Sequence, residues 1–459
     1  MNFKILQYFF VMITFFSLTA HSQIKDSIKI SEIYNNALNS HEAYSNLEDM
    51  QSQAAPRAID SEQAQTAINL LTSKLEKLDC DTVYLQDYTV DSWHHLYSFA
   101  ELTVAENKTI KLHVKALGPS VSTPLEGLNA EMIEVNDLQA LKALKKKEVK
   151  GKIVFFNTIM DNSFIEPVDA YVFAVQSRLF GADEAAKKGA IAVVVRSIST
   201  ITDDFVHTGC LRYSNDAKKI PAVAISTNDA DYLSSVLAEN QNIKLHLKVR
   251  TGQKMNYPTH NIIAEIKGNE YMDEVITIGA HIDTWYNTSG AHDDGAGCVQ
   301  MIDVLRIFNE LKINNKRTIR LILFMDEEIF TSGATAYVSQ HQNPNEKFIA
   351  AIESDLGGFE PSGFFIDGGN KEFSKIQCWK SLLEPYGLVD LEKGFGGGDM
   401  LKLKQQFGLT SIALKVNSQR YFEIIHTEKD SFETLNRREL QLGTAAICSL
   451  VYLLDKYGL

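Results

Sequence analysis

Apolar residues first recur at helical spacing in the segment from Asp26 to about Asp79, where Ala64, Ile68, Leu71, Leu75 and Leu78 fall on one face and predict helices. A run at 83–88 then predicts a first strand. Between about Leu117 and Gly252 the texture changes. Short β-branched runs at 152–156, 192–195 and 221–225 alternate with helical stretches and turns, and they predict an inserted, β-rich unit. After Gly252, strands are predicted at 262–266, 275–279, 319–324 and 348–352. A helix at 297–311 carries Met301, Val304, Leu305, Phe308 and Leu311 on one face. Alternating strands and helices predict an α/β fold: a mixed, mostly parallel sheet flanked by helices. Neither internal repeats nor low-complexity linkers interrupt the chain.

Composition narrows the class. With 459 residues, 45% hydrophobic and 22% charged, the chain can bury sizeable cores. Its net charge of -13 argues against nucleic acid or an anionic membrane surface as the main partner, both of which call for a basic footprint. Residues 1–22 place Lys4 ahead of the apolar run 5–20 and end in Ala20-His21-Ser22, the pattern of a signal peptide, so a secreted or periplasmic protein, off the membrane once the signal is cleaved, is expected, with an uncleaved anchor as the lesser alternative. Cys80, Cys210, Cys298, Cys378 and Cys448 lack CxxC spacing and select no disulfide; Cys298 fits a small buried residue in its helix.

Candidate chemistry clusters where strands are predicted to end. His281-Ile282-Asp283 follows the 275–279 run, Met325-Asp326-Glu327-Glu328 follows 319–324, and Glu353-Ser354-Asp355 follows 348–352. Gly290-Ala291-His292-Asp293-Asp294-Gly295 and His426-Thr427-Glu428-Lys429-Asp430 complete the set. In open sheets of this type, ligands collect at the carboxyl ends of strands. Each motif alone reads as a turn or a solvated face. Their convergence does not, because buried carboxylates are costly unless paired or metal-bound. The donor set suffices for two divalent cations sharing one carboxylate. Asp283, two residues past His281, is expected to accept the other imidazole N–H, and Asp294 is expected in support.

These residues resemble the zinc exopeptidases, the family of bacterial leucyl aminopeptidases, glutamate carboxypeptidase and transferrin receptor relatives, and within it the plasma glutamate carboxypeptidase branch. The resemblance runs from about Trp93 to the C-terminus. Lys150-Gly151-Lys152-Ile153-Val154, Glu184–Ala190, His207-Thr208-Gly209 and Lys219-Ile220-Pro221 look like its protease-associated domain. It implies His281 and Asp355 on one zinc, Glu328 and His426 on the other, Asp293 bridging, and Glu327 as general base. It also implies a supporting role for Asp430 and a surface, non-ligand role for His292. With the leader pattern and the change of texture, the chain divides into a signal peptide (1–22), a leading part of the peptidase domain (23–116), a protease-associated insert (117–252) and the di-metal domain (253–459). Manganese or cobalt would suit the same donors.

Gly394-Phe395-Gly396-Gly397-Gly398-Asp399 resembles a glycine-rich loop lining the substrate pocket, with Asp399 available to a substrate amine and Tyr421 to a tetrahedral oxyanion. Asn107 and Asn287 head Asn-x-Thr/Ser triplets, and neither GxSxG nor a Cys/His pattern for covalent hydrolysis is present. The leading expectation is an aminopeptidase or dipeptidase acting on peptides or dipeptides. The alternative is a carboxypeptidase in which Arg196, Arg212 or Arg420 meets the terminal carboxylate. A glutaminyl cyclase or a non-catalytic receptor-like protein ranks lower. Oligomeric state is open, a homodimer included.

Overall fold

The computed structural model describes residues 23–105, 108–215, 218–240 and 243–459. The signal-peptide expectation and the Asn107 triplet therefore lie outside the described residues. The leading segment is helical at 23–39, Glu42–Ala54 and Glu62–Leu75. Ser61 caps the third helix by accepting the Ala64 N–H, and Ala64, Ile68, Leu71 and Leu75 are buried as their spacing predicts.

The described strands are β1 (Thr82–Ala105), β2 (Lys108–Leu112), β3 (Val114–Ala116), β4 (Leu128–Val135), β5 (Ile153–Phe156), β6 (Ala192–Arg196), β7 (Ala222–Ile225), β8 (Lys244–Ile266), β9 (Tyr271–His281), β10 (Arg317–Phe324), β11 (Lys347–Glu353), β12 (Pro361–Asp367), β13 (Asp390–Lys393) and β14 (Thr410–Val416). They join in the order β13-β12-β14-β11-β9-β10-β8-β4-β5-β6-β7-β3, with β1 pairing β2 and β8. The result is a mixed α/β sheet with flanking helices. Strands β14, β11, β9 and β10 are mutually parallel neighbours, so their carboxyl ends share one rim. Strand β8 runs antiparallel to both β10 and β4, which links this set to a second parallel run, β4 to β7.

One feature was not visible in the apolar pattern. The 83–88 run is only the start of β1, which spans 24 residues. Its polar middle, with Ser92, His94 and His95, is held by main-chain pairing to β8 across register shifts at Val90/Ser92 and His95/Tyr97. The helical stretches expected in the middle region are Pro167–Lys187, against β5 and β6, and Thr227–Glu239, against β4, so its interior is layered α/β rather than β-rich. Phe155, Val194 and Val223 on one face belong to a cluster that also takes in Trp93, Trp285 and Ile329, while Phe156, Val195 and Ala224 on the other belong to a cluster formed within the region itself.

Helix Gly297–Glu310 packs between the sheet and the terminal helix Arg437–Tyr457, and Met301, Val304, Leu305 and Phe308 are fully enclosed. Each such side chain contributes roughly 1.5–3 kcal/mol by leaving water. Among the described residues no helix is long and apolar enough to cross a membrane.

Candidate metal centre

His281 is the last residue of β9 and pairs with Phe324 at the end of β10, while Glu353 closes β11 beside Gly279. The rim therefore presents His281, the Glu327 turn and Asp355 together. Asp293 arrives from the wide turn Ala291–Ala296 that precedes helix Gly297–Glu310. In that turn Asp293 (φ -116, ψ 91) and Asp294 (φ -126, ψ 44) leave the helical path, and the peptide between them is cis. His426 comes from the loop after β14, at a left-handed φ of 61.

The two oxygens of Asp293 face different imidazoles. Oδ1 lies 3.1 Å from His281 Nε2 and Oδ2 lies 3.1 Å from His426 Nε2. His281 Nε2 is also 3.2 Å from Asp355 Oδ1, and His426 Nε2 is 3.5 Å from Glu328 Oε2. Two donor groups result, His281/Asp293/Asp355 and Asp293/Glu328/His426, each with its donor atoms within 4.8 Å of one another. Each ring presents Nε2 because Nδ1 is engaged: His281 Nδ1 with the Asp283 carbonyl at 3.1 Å, and His426 Nδ1 with the Thr208 carbonyl at 3.1 Å.

The donor set fits a pair of divalent cations on the chemistry of its atoms, two imidazole nitrogens and three carboxylates. A second observation agrees: Glu328 Oε1 is buried without a hydrogen-bond partner. Electrostatics point the same way. Burial first, and then Asp293, hold the Glu328 carboxyl well above its ordinary range. Burial and then the Asp355 charge do the same to Asp294. Asp293 is the exception, since hydrogen bonds from His281 and His426 overcome burial and keep it ionised. Burial disfavours charge on His281, yet Asp355 and the hydrogen bonds around the ring raise its pKa. So many enclosed carboxylates favour cations among them.

Glu327 keeps a window to solvent but sits deep among its neighbours, and its carboxyl is pushed up to about 8, chiefly by desolvation, with Asp355, Asp283 and Glu353 adding repulsion. Asp283 works differently from the expectation. Its carboxylate stands 3.7 Å from His281 Nδ1 and chiefly accepts the Glu327 N–H (3.1 Å) and Glu328 N–H (3.4 Å), fixing the turn that bears both glutamates. Asp294 accepts the His281 N–H, and Asp430 accepts the main-chain N–H groups of His292 and Asp293. His292 is in neither donor group but is not a surface residue: it is 1% exposed, stacks on Phe359 and accepts the Gly358 N–H.

Tyr421 is buried with its hydroxyl 3.5 Å from the Asp355 carbonyl. Both carboxylate oxygens of Asp399 are buried without hydrogen-bond partners, and burial together with Glu353 and Glu327 raises its pKa well above the ordinary value. The glycine loop is close-packed here: a Cβ on Gly398 would lie 2.7 Å from Glu327 Oε1. Cys298 is buried as expected, its thiol donating to the His281 carbonyl, and all five cysteines are free.

Several participants escaped the sequence reading. Arg57 is fully buried and donates to the carbonyls of Ile282, Ser289 and Gly290, bracing the loop between His281 and Asp293. The Asn287 amide, noted only as a triplet head, is buried and donates to the His426 carbonyl at 2.8 Å. Thr208 reaches the same loop from the middle region. More than 70 residues separate the partners in each case, so no local spacing announces them. Of the unplaced arginines, Arg196 pairs with Asp231 and Arg420 lies over Phe359. Arg212 donates to the Ile329 carbonyl and, with Lys219 and Lys402, lines a cavity of about 500 Å³ beside the turn that follows Glu328.

A carboxyl-edge rim of an open mixed sheet, carrying two cation-binding groups that share an aspartate, defines a binuclear metallohydrolase. The sequence model of peptidase family M28 matches residues 261–451. Carboxypeptidase Q of Xenopus laevis is 32% identical over 375 residues, covering 82% of this chain and 77% of that protein. Carboxypeptidase Q of Bos taurus is 28% identical over 94% of this chain and 89% of its own. The crystal structure of a peptidase M28 precursor from Shewanella amazonensis SB2B superposes with a TM-score of 0.88 at 28% identity, covering 94% and 97% of the two chains. A zinc aminopeptidase from Bacillus subtilis shares the fold, with a TM-score of 0.66 at 21% identity over 90% and 95%. The chain belongs to peptidase family M28, and it is a zinc metallopeptidase with a two-metal centre.

Proposed function

We propose that this exopeptidase acts in the manner of a carboxypeptidase, on peptides whose free terminal carboxylate is met by the cationic cavity. The leading expectation from sequence was an aminopeptidase or dipeptidase. Two observations favour the alternative: relatives named carboxypeptidase Q align over most of the chain, and Arg212, Lys219 and Lys402 converge next to the glutamate turn with no carboxylate among the lining residues. The cavity carries the reading, because cationic side chains recognise a carboxylate and repel a protonated amine.

In this reading His281, Asp293 and Asp355 would hold one zinc, and Asp293, Glu328 and His426 the other; when bound, the pair would supply an activated water and polarise the scissile carbonyl. Glu327 takes the water proton on its free carboxylate and delivers it to the leaving amine nitrogen. Asp283 fixes Glu327 by accepting its main-chain N–H, so that base and Glu328 cannot exchange places. The Tyr421 hydroxyl would donate to the developing oxyanion, and Asp399 would orient the substrate near Glu327. We further assign 117–252 to an inserted protease-associated unit, on the apolar cluster its own residues enclose around Phe156, Val195 and Ala224, and place the protein outside the cytoplasm on its leader-like first 22 residues.

A panel of peptides blocked at the amine or at the carboxylate tests the reading on metal-quantified enzyme. Amine-blocked peptides should be cleaved and carboxylate-blocked ones resist. The reverse pattern would return the protein to the aminopeptidases.

A further inference from the structure

We propose that Arg178 is a positioning residue for the half of the metal centre that contains His426, so that the middle region of the chain builds the centre as well as standing beside it. The inference rests on the two-metal reading. Arg178 lies on helix Pro167–Lys187 and is 5% exposed. Its Nη1 donates to the Thr208 carbonyl at 3.0 Å and its Nη2 to the Tyr171 hydroxyl at 2.6 Å. The Tyr171 ring lies 5.6 Å from the guanidinium carbon and stacks on Phe422, four residues before His426.

The Thr208 carbonyl thus serves two donors, Arg178 Nη1 and the Nδ1–H of His426. A carbonyl oxygen has two lone pairs, and here both are assigned. Fixing that oxygen keeps Nδ1 as the ring's standing donor and turns Nε2 toward Asp293 and Glu328, where a cation can take the place of its proton. The same segment grips the His426 main chain: the Thr208 N–H and hydroxyl reach the His426 carbonyl at 3.2 and 3.3 Å, and Asn287 reaches it at 2.8 Å. His426 sits at φ 61, a left-handed conformation that is unfavourable for a side-chain-bearing residue and persists only where surroundings impose it. Gly209, at φ 142, lets the loop lie against the guanidinium, since a Cβ there would come within 2.3 Å of the Arg178 Cζ. A mobile cover over the substrate would not need a buried arginine locked to a ligand's hydrogen-bond partner.

The test is zinc affinity, measured in the full chain by competition with a chromophoric chelator, for wild type, Arg178→Met, Arg178→Lys and His426→Ala. Wild type should bind two zinc ions. Arg178→Met should weaken one of them about 10- to 100-fold, the magnitude expected for losing an outer support of a ligand, while the other keeps its affinity. The weakened step should be the one His426→Ala abolishes. Arg178→Lys, which keeps the charge and a donor, should fall between, and it decides the matter on the same criterion if Arg178→Met does not fold. Equal weakening of both ions, or no change in a folded variant, would overturn the inference. Wild type binding other than two ions would instead strike the two-metal reading.

Discussion

At the scale of single residues, chemistry is concentrated on side chains whose identity leaves little freedom. Glu327 is the clearest case: no donor group includes it, its main-chain N–H is tied to Asp283, and desolvation lifts its carboxyl to about 8. A carboxylate poised near neutrality suits proton transfer. Glu327→Gln should retain both metals yet lose roughly two to four orders of magnitude in kcat. Metal analysis alongside steady-state kinetics checks this, and near-normal turnover would dismiss Glu327 as the base. His281, Asp293, Glu328, Asp355 and His426 could be picked out in the sequence because each imidazole or acid follows an apolar run or sits in a compact motif. Arg57, Arg178, Thr208 and Asn287 could not, because each acts through main-chain carbonyls or amides of a distant loop, and a carbonyl has no sequence identity.

At the scale of elements, the rim depends on how tightly strand ends and helix starts approach. Helix Gly297–Glu310 begins against Ser354 and Asp294: a Cβ on Gly297 would lie 2.1 Å from the Ser354 carbonyl and 2.3 Å from Asp294 Oδ1. Gly297→Ala should therefore destabilise the fold by about 1–3 kcal/mol, as overpacking does, and displace the Asp293–Asp294 turn. Thermal melts and zinc affinity should fall together; an unchanged melt would show that the helix start can give way. A second element-scale effect is on pH. Asp455, on the terminal helix, accepts the Lys316 and Arg317 N–H groups, and burial above all pushes its carboxyl up to about 6. With the folded value above the unfolded one of roughly 3.9, the native state holds the extra proton between them. That contribution is complete below about pH 4 and is lost as pH rises to about 6. Asp455→Asn keeps an acceptor and should flatten the fall by on the order of 3 kcal/mol across this window. Denaturant melts at several pH values compare the two slopes, and equal slopes would refute it.

For the whole molecule, removing metal should loosen what the carboxylates hold apart. Cations that bind only the folded state stabilise it by mass action, about 4 kcal/mol at a thousandfold excess over Kd. Chelation should lower Tm by several degrees and zinc should restore it; a chelated protein that melts unchanged would argue that the acid cluster supports itself. By itself the sequence determined the alternation that makes an α/β sheet, the buried faces of its helices, and the set of side chains able to bind two cations, since these follow from local periodicity and residue chemistry. It did not determine the 24-residue β1, the continuous sheet through β8, or the grip of Thr208 and Arg178 on His426. Those were decided only in three dimensions, because main-chain hydrogen bonds between distant segments are satisfied by where the chain goes and not by which residues it carries there.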